Sequence, residues 1–404
     1  MELSLDPKPT EYLKRVTAFL DEQILPREQE YFDALRRQGD PWAVPEFLPE
    51  LRQRARSEGL WNLYLPDPGY GQDLTNVEYA PLAEAMGRSL FAPEVFNCHA
   101  PDAGNAEMLL RHGSAEQQKR WLEPLLNGEI RSAFCMSEPD AASSDATNLA
   151  ATATLDGDSV ILDGRKWWCT GIGHPDCRFA VVSGLTFPMA DRHTRYSLVL
   201  VPLDTPGVRV ERMLSVYGYR NEPSGYAEVS FTDVRLPVEA IIGRAGQGFL
   251  IAQQMLGPAR IHLCMRLIGL AERAIELACT RAVQRTAFGK PLANLGGNRE
   301  RIARARIAID QARLHVRHAA WRLDTVGSLA AAAELSQIKA AVPAMACGVI
   351  DMAVHLHGAA GLSEDYPLAA AAAAARAQRL TDGPDEVHLG VVARTELAKY
   401  PTAG

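Results

Sequence analysis

The sequence predicts an α+β protein in three consecutive parts: a helical region over about 1–130, a β region over 131–243 and a helical bundle over 244–404. Two changes of texture carry this prediction. Apolar residues first recur at helical spacing, then give way to short β-branched and aromatic runs cut by Asp-Gly and Pro-Gly turns. Beyond residue 244 helical periodicity returns in segments far longer than the first ones.

In the first part, 11–25 and 45–58 repeat apolar residues at helical spacing, and Gly59, the Pro66-to-Gly69 turn and Gly113-Ser114 punctuate them. Residues 115–126 form a further short helix with Ser114 as its N-cap. In the second part the runs 151–155, 159–162, 179–182, 196–201 and 227–231 read as strands. Many short strands with no long helix between them indicate an antiparallel sheet, and Asp156-Gly157 is a hairpin signal. In the third part 249–287, 297–326 and 329–357 are long periodic helices, a length that calls for bundle and oligomer contacts. The alanine tracts 330–333 and 369–375 favour helix and close packing.

Composition narrows the classes. The 404 residues suffice for two or three units with a large shared core, and 47% hydrophobic with 23% charged residues is ordinary for a globular chain. A net charge of -7 gives no nucleic-acid footprint. No apolar run is expected to reach the roughly 20 residues of a membrane span. The first residues resemble neither a secretory signal nor a transit peptide, so a cytoplasmic location is expected. Seven scattered cysteines without CxxC spacing read as reduced thiols, with no zinc site.

Five stretches carry chemistry. Residues 134–145, FCMSEPDAASSD, form a polar strand-to-loop segment. In 164–170, GRKWWCT, two adjacent tryptophans on a strand should face opposite sides, one into the core. Residues 285–292, RTAFGKPL, follow a long helix, and 355–367, HLHGAAGLSEDYP, form a glycine-rich turn. His355 and His357 are two apart on a helix and share no face, which argues against a metal. Finally, 380–388, LTDGPDEVH, breaks a helix at Gly-Pro and displays Asp382. On that stretch alone a solvated acidic turn is the stronger reading. The glycines of 243–248 lack the βαβ setting of a nicotinamide site.

In this order and at these lengths, the motifs resemble the acyl-CoA dehydrogenase family of flavoproteins. The wording around 131–147, 256–266 and 380–388 is similar to the subgroup typified by family members ten and eleven, with this chain matching their dehydrogenase module. The resemblance implies FAD as cofactor and a fold of N-terminal helical domain, middle antiparallel β domain and C-terminal four-helix bundle. By it, Phe134, Ser137 and Trp168 lie against the isoalloxazine and Thr170 hydrogen-bonds the ring; a core position, the reading from strand alternation alone, fits Trp167 better than Trp168. Arg285 and Phe288 belong to an RxxFG signature reaching the FAD of a neighbouring subunit. Gly296 stands where the family often has glutamine. His355, Gly358 and Ala359 form the turn near the FAD phosphates, and Gly383 adds cofactor-facing backbone. Ser143 and Arg260 are assigned to the acyl-CoA substrate. Asn97, with Cys98, His99 and Asp102, falls where the acyl tail is lined, and His262, on one helical face with Arg266, is a candidate to bring a polar group to the substrate pocket, with a helix-surface ion pair as the alternative.

The family's base position lies fifteen residues beyond Pro367, at Asp382. An alternative base position on an earlier helix is Ala259, which cannot take a proton. The implied reaction is α,β-dehydrogenation of an acyl-CoA: Asp382 takes the α-proton and the β-hydrogen passes as hydride to flavin N5. Asp is shorter than the family's usual Glu by about 1.5 Å. The polar tail region suggests a functionalised acyl chain, such as a 4-hydroxy type. An electron-transferring flavoprotein is the implied acceptor, and a homo-oligomer, a dimer or dimer of dimers, the implied assembly. The competing readings are an oxidase on the same fold, acting on a nitroalkane or an acyl-CoA, and a non-catalytic flavoprotein scaffold.

Overall fold

A computed structural model describes residues 6–37, 40 and 42–400. The first helices are α1 (Pro7–Phe19), α2 (Glu28–Arg37), α3 (Leu48–Ser57), α4 (Asn76–Gly87), α5 (Ala92–Val95) and α6 (Asp102–His112). A helical segment follows as α7 (Ala115–Gln117), a π-helical turn (Gln118–Leu122) and α8 (Glu123–Leu126). Its start is the expected one. Ser114 Oγ accepts the Gln117 N–H while the Gln117 side chain accepts the Ser114 N–H, a reciprocal cap. Thr75 and Glu78 cap α4 in the same way.

Seven strands form one sheet: β1 (Arg131–Cys135), β2 (Thr152–Asp156), β3 (Ser159–Thr170), β4 (Cys177–Leu185), β5 (Tyr196–Pro202), β6 (Val208–Leu214) and β7 (Tyr226–Pro237). Their order is β1-β4-β2-β3-β7-β6, with β5 on β4. The Asp156-Gly157 hairpin is present, Asp156 facing Ser159 across a turn whose Gly157 has φ +59. Pairing is antiparallel except where β1 and, at one position, β2 run parallel to β4. Inward residues such as Ala133, Val160, Val182, Val201, Val229 and Phe231 form its core. β6 is an edge, and Arg209, Glu211 and Arg212 on it oppose pairing with another chain.

The later helices are α9 (Gly248–Gln284), α10 (Asn298–Ala330), α11 (Ala332–His357), α12 (Leu368–Ala377) and α13 (Asp385–Leu397). Between α9 and α10 lies a two-stranded hairpin, β8 (Thr286–Ala287) with β9 (Lys290–Pro291). α10 kinks at Gly327 (φ +80, ψ 168), shortly before its end at Ala330.

The chain divides into two compact units. The helical unit holds the described residues of 1–29, 73–93 and 257–404; the sheet unit holds 30–72 and 94–256. In the helical unit α4 and α9 touch backbone to backbone. A Cβ on Gly269 would sit 1.9 Å from the Glu84 carbonyl oxygen, and one on Gly87 2.2 Å from that of Arg266. Only glycine permits this approach. Arg313 pairs with Glu84 at 2.8 Å and also with Glu272, which binds Arg306 at 2.6 Å, so charges tie α4, α9 and α10 together.

One sequence expectation is corrected here. The stretch Ala332–Gly361 is 30 residues long and apolar enough over 18 of them to match a membrane span. In the helical unit α11 packs against α10, α12 and α13, and this packing accounts for its apolar character.

Candidate active site

In the sheet unit the expected flavin-facing residues cluster on β1 and β3. Phe134 pairs with Thr170, and the Trp167 N–H donates to the Ser137 carbonyl at 2.9 Å. The tryptophans do not alternate as expected. β3 bulges between Lys166 and Cys169, and Trp168 adopts φ +53. Lys166 and Cys169 therefore point inward, Trp167 is half-buried, and Trp168 is 38% exposed, its edge on Tyr226 at 5.6 Å. Neither indole is core; a bulge re-aims side chains in this way.

Lys166, fully buried, holds this region in place. Its Nζ donates to Glu138 Oε1 at 2.7 Å and to the Met136 carbonyl at 3.0 Å. Glu138 also accepts the Ala150 and Ala151 N–H groups at 2.7 and 2.9 Å, which closes the loop after β1. Burial opposes the Glu138 charge, but Lys166 and the two amides outweigh it and hold the carboxyl below its usual range. Burial likewise lowers Lys166 against the pull of Glu138. Ser143 works within the same loop, its Oγ accepting the Glu138 N–H at 2.8 Å. The Ser137 hydroxyl makes no hydrogen bond among the described residues and is free to meet a ligand.

Asn97 does not stand on an open wall. Its Nδ2 donates to Asn62 Oδ1 at 2.8 Å, and its Oδ1 accepts from Arg131 at 3.0 Å. Arg131 is itself buried and pairs with Glu94 at 3.1 Å and Asp102 at 3.4 Å; His99 meets Asp102 at 3.0 Å. Burial would raise both carboxyls, but His174 and Arg131 beside Glu94, and His99 and Arg131 beside Asp102, hold them below their usual range. This buried network takes up Asn97, His99 and Asp102, which the resemblance places at the acyl tail.

In the helical unit Asp382 stands on a turn between α12 and α13 with φ +57, followed by Gly383 at φ +100. A non-glycine residue in the left-handed region costs roughly 1–3 kcal/mol, so the surroundings must enforce it. They do so through the backbone. The Asp382 carbonyl accepts from His388 Nε2 at 3.0 Å, and the Gly383 carbonyl accepts from Lys339 Nζ at 3.2 Å. Arg260 NH2 lies 3.5 Å from the Asp382 carbonyl. The Asp382 carboxylate makes no hydrogen bond among the described residues. Lys339 and His388 are the site residues that sequence reasoning did not single out. The available signal was a lone lysine in the apolar run 329–357 and the histidine six residues past Asp382.

The remaining expected cofactor residues also lie in the helical unit. Arg285 is exposed at the end of α9, and Phe288, 95% exposed, sits with Gly289 at the tip of the β8–β9 hairpin, both at positive φ. Past α11, Gly358 has φ +65 and ψ -140, and nothing lies within 4 Å of where its Cβ would be. Ala359 is exposed beside it, and His355 is exposed with Nδ1 3.0 Å from the Asp351 carbonyl. His357 is buried against Tyr366, so the two histidines diverge. These residues suit FAD: a free hydroxyl and a presented indole in the sheet unit, and an exposed arginine and an open glycine turn in the helical unit.

His262 is buried edge-on to Tyr79 at 4.7 Å, and burial, then Arg266, pushes it down to about 3. Above the unfolded value near 6.5 neither state is charged; below it only the unfolded chain takes the proton. Stability is therefore expected to fall as pH drops from about 6.5 toward 3, by up to about 1.4 kcal/mol per pH unit for this group. His262→Phe should make the decline of melting temperature between pH 6.5 and 4.5 shallower; an unchanged slope would contradict the assignment.

Comparison with known proteins places these features. Three family models match in succession: acyl-CoA dehydrogenase N-terminal domain over 7–129, middle domain over 133–234 and C-terminal domain over 246–397. Acyl-CoA dehydrogenase family members 10 and 11 of Mus musculus are 49% and 48% identical over 97% and 96% of this chain. The chain spans 37% and 50% of their respective lengths. Probable acyl-CoA dehydrogenase FadE2 of Mycobacterium tuberculosis is 46% identical, with 99% of this chain and 98% of that protein covered. A solved structure from Mycobacterium abscessus that carries the acyl-CoA dehydrogenase name superposes with a TM-score of 0.96 at 59% identity, covering 99% of this chain and 100% of that one. The chain belongs to the acyl-CoA dehydrogenase family, whose members are FAD-dependent oxidoreductases.

Proposed function

We propose that the chain catalyses α,β-dehydrogenation of an acyl-CoA thioester, with Asp382 as the base. The observation that carries this reading is the state of Asp382: its backbone is pinned on a left-handed turn while its carboxylate makes no hydrogen bond among the described residues. A carboxylate so placed can take the α-proton, which is acidified by the thioester carbonyl. FAD, when bound, supplies the acceptor for the β-hydrogen and its electron pair. Ser137 and Thr170 offer hydroxyls to its ring, Trp168 presents an apolar surface that excludes water, and Arg285 offers a charged fork to a diphosphate. The exposure of Arg285 and Phe288 supports a neighbouring subunit as the place where they act. An electron-transferring flavoprotein is the proposed electron acceptor.

The finer reading, a 4-hydroxy-type acyl chain, rests on likeness to family members 10 and 11, since Asn97 and Asp102 are committed to Arg131. A panel of straight, branched and 4-hydroxy acyl-CoAs, mixed anaerobically with the FAD-loaded protein, should bleach the flavin, fastest with the functionalised chains. Equal rates across the panel would remove the 4-hydroxy preference. Bleaching by nitroalkanes alone would replace the dehydrogenase with an oxidase.

A further inference from the structure

We infer that Lys339 and His388 are positioning residues that clamp the Asp382-Gly383 backbone and so fix where the shortened base can reach. This rests on the reading of Asp382 as the base.

The clamp has two arms. Lys339, on α11, is buried, and its Nζ donates to the carbonyls of Gln378 at 2.6 Å and Gly383 at 3.2 Å. Gln378 is the C-terminal cap of α12, so one ammonium group joins the negative end of that helix to the turn that follows it. His388, on α13, forms the other arm through Nε2 and the Asp382 carbonyl at 3.0 Å. A carbonyl accepts only, so Nε2 carries the proton and Nδ1 faces the Ser336 hydroxyl at 3.4 Å. Burial, then the Arg260 charge, pushes His388 down to about 4, which keeps this neutral tautomer at neutral pH. The imidazole fits closely under the turn: a Cβ on Gly383 would lie 2.9 Å from Nε2.

Both arms donate to main-chain oxygens and neither hydrogen-bonds the carboxylate, whose charge Lys339 meets only electrostatically. The clamp can therefore hold the backbone at φ +57 while every hydrogen bond it makes leaves the carboxylate oxygens open to a proton. An aspartate carries its carboxylate one methylene closer to the backbone than a glutamate and has one fewer torsion with which to correct a displaced Cα. A misplacement of about 1 Å can lower a rate by about 100-fold.

The test uses the FAD-loaded full chain, with anaerobic stopped-flow reduction of the flavin by the acyl-CoA most active on the wild type. His388→Leu and Lys339→Met should lower the limiting reduction rate by about 10- to 100-fold while FAD content and acyl-CoA affinity hold. His388→Gln, which keeps an N–H donor, should recover most of the rate. Wild-type rates in His388→Leu and Lys339→Met, or equal losses in His388→Leu and His388→Gln, would overturn the clamp. If Lys339→Met does not fold, the His388 pair decides alone; if His388→Leu does not fold, His388→Gln at near wild-type rate supports the donor role and a loss there overturns it. Asp382→Asn separates the two claims. Wild-type reduction in that variant removes the base and the clamp's purpose with it, whereas loss there with wild-type rates in the clamp variants removes the clamp only.

Discussion

Asp382→Asn is expected to bind FAD and acyl-CoA as the wild type does and to lose flavin reduction by about 100- to 10,000-fold. The amide is nearly isosteric with the carboxylate, so the turn has no steric reason to move. Its backbone partners, His388 and Lys339, bind carbonyls that the substitution leaves in place. What disappears is the capacity to accept a proton, which accounts for losses of this size in general-base catalysis. Rapid mixing with an acyl-CoA under anaerobic conditions reads the loss directly, and the visible flavin spectrum of the same sample reports cofactor content. Asp382→Glu should retain part of the rate, because it keeps the base and changes only its reach.

Lys166→Met should produce the largest loss of stability, about 3–5 kcal/mol, the usual result of removing one partner from a buried ion pair. Glu138 would be left charged and buried among backbone donors, and the Met136 carbonyl would lose its partner. The loop after β1 would loosen, with Ser137 on it, so FAD affinity should fall together with stability. Urea unfolding monitored by far-UV circular dichroism gives the first quantity and titration of the apoprotein with FAD the second. The double variant Lys166→Met/Glu138→Gln should recover part of the stability, because it removes the stranded charge. By contrast, the exposed pair Arg304–Glu300 on α10 should contribute less than about 1 kcal/mol.

The sequence shows clearly those features that depend on local rules. Helical spacing, the Ser114 cap and the Asp156-Gly157 hairpin each follow from residues within a few positions of one another, and all three are present. The Asp382 turn was legible for the same reason, since Gly-Pro must end a helix. Contacts made at a distance were not. The tryptophan pair departs from the expected alternation because the bulge at Lys166–Cys169 breaks the two-residue period, and no local signal marks a bulge of this kind. The resemblance puts Asn97 at the acyl tail, and its partners, Asn62 and Arg131, lie 35 and 34 residues away where no local pattern reveals them. Lys339 lies 44 residues before the glycine it holds. A lone lysine in an apolar helix signals a buried partner without saying which one.

The central claim is tested most directly by anaerobic titration of the FAD-loaded wild type with a saturated acyl-CoA, with product identified by mass spectrometry. One 2-enoyl-CoA formed per flavin bleached is the expected result. A flavin that stays oxidised with every acyl-CoA, or that bleaches without forming the enoyl thioester, would contradict it.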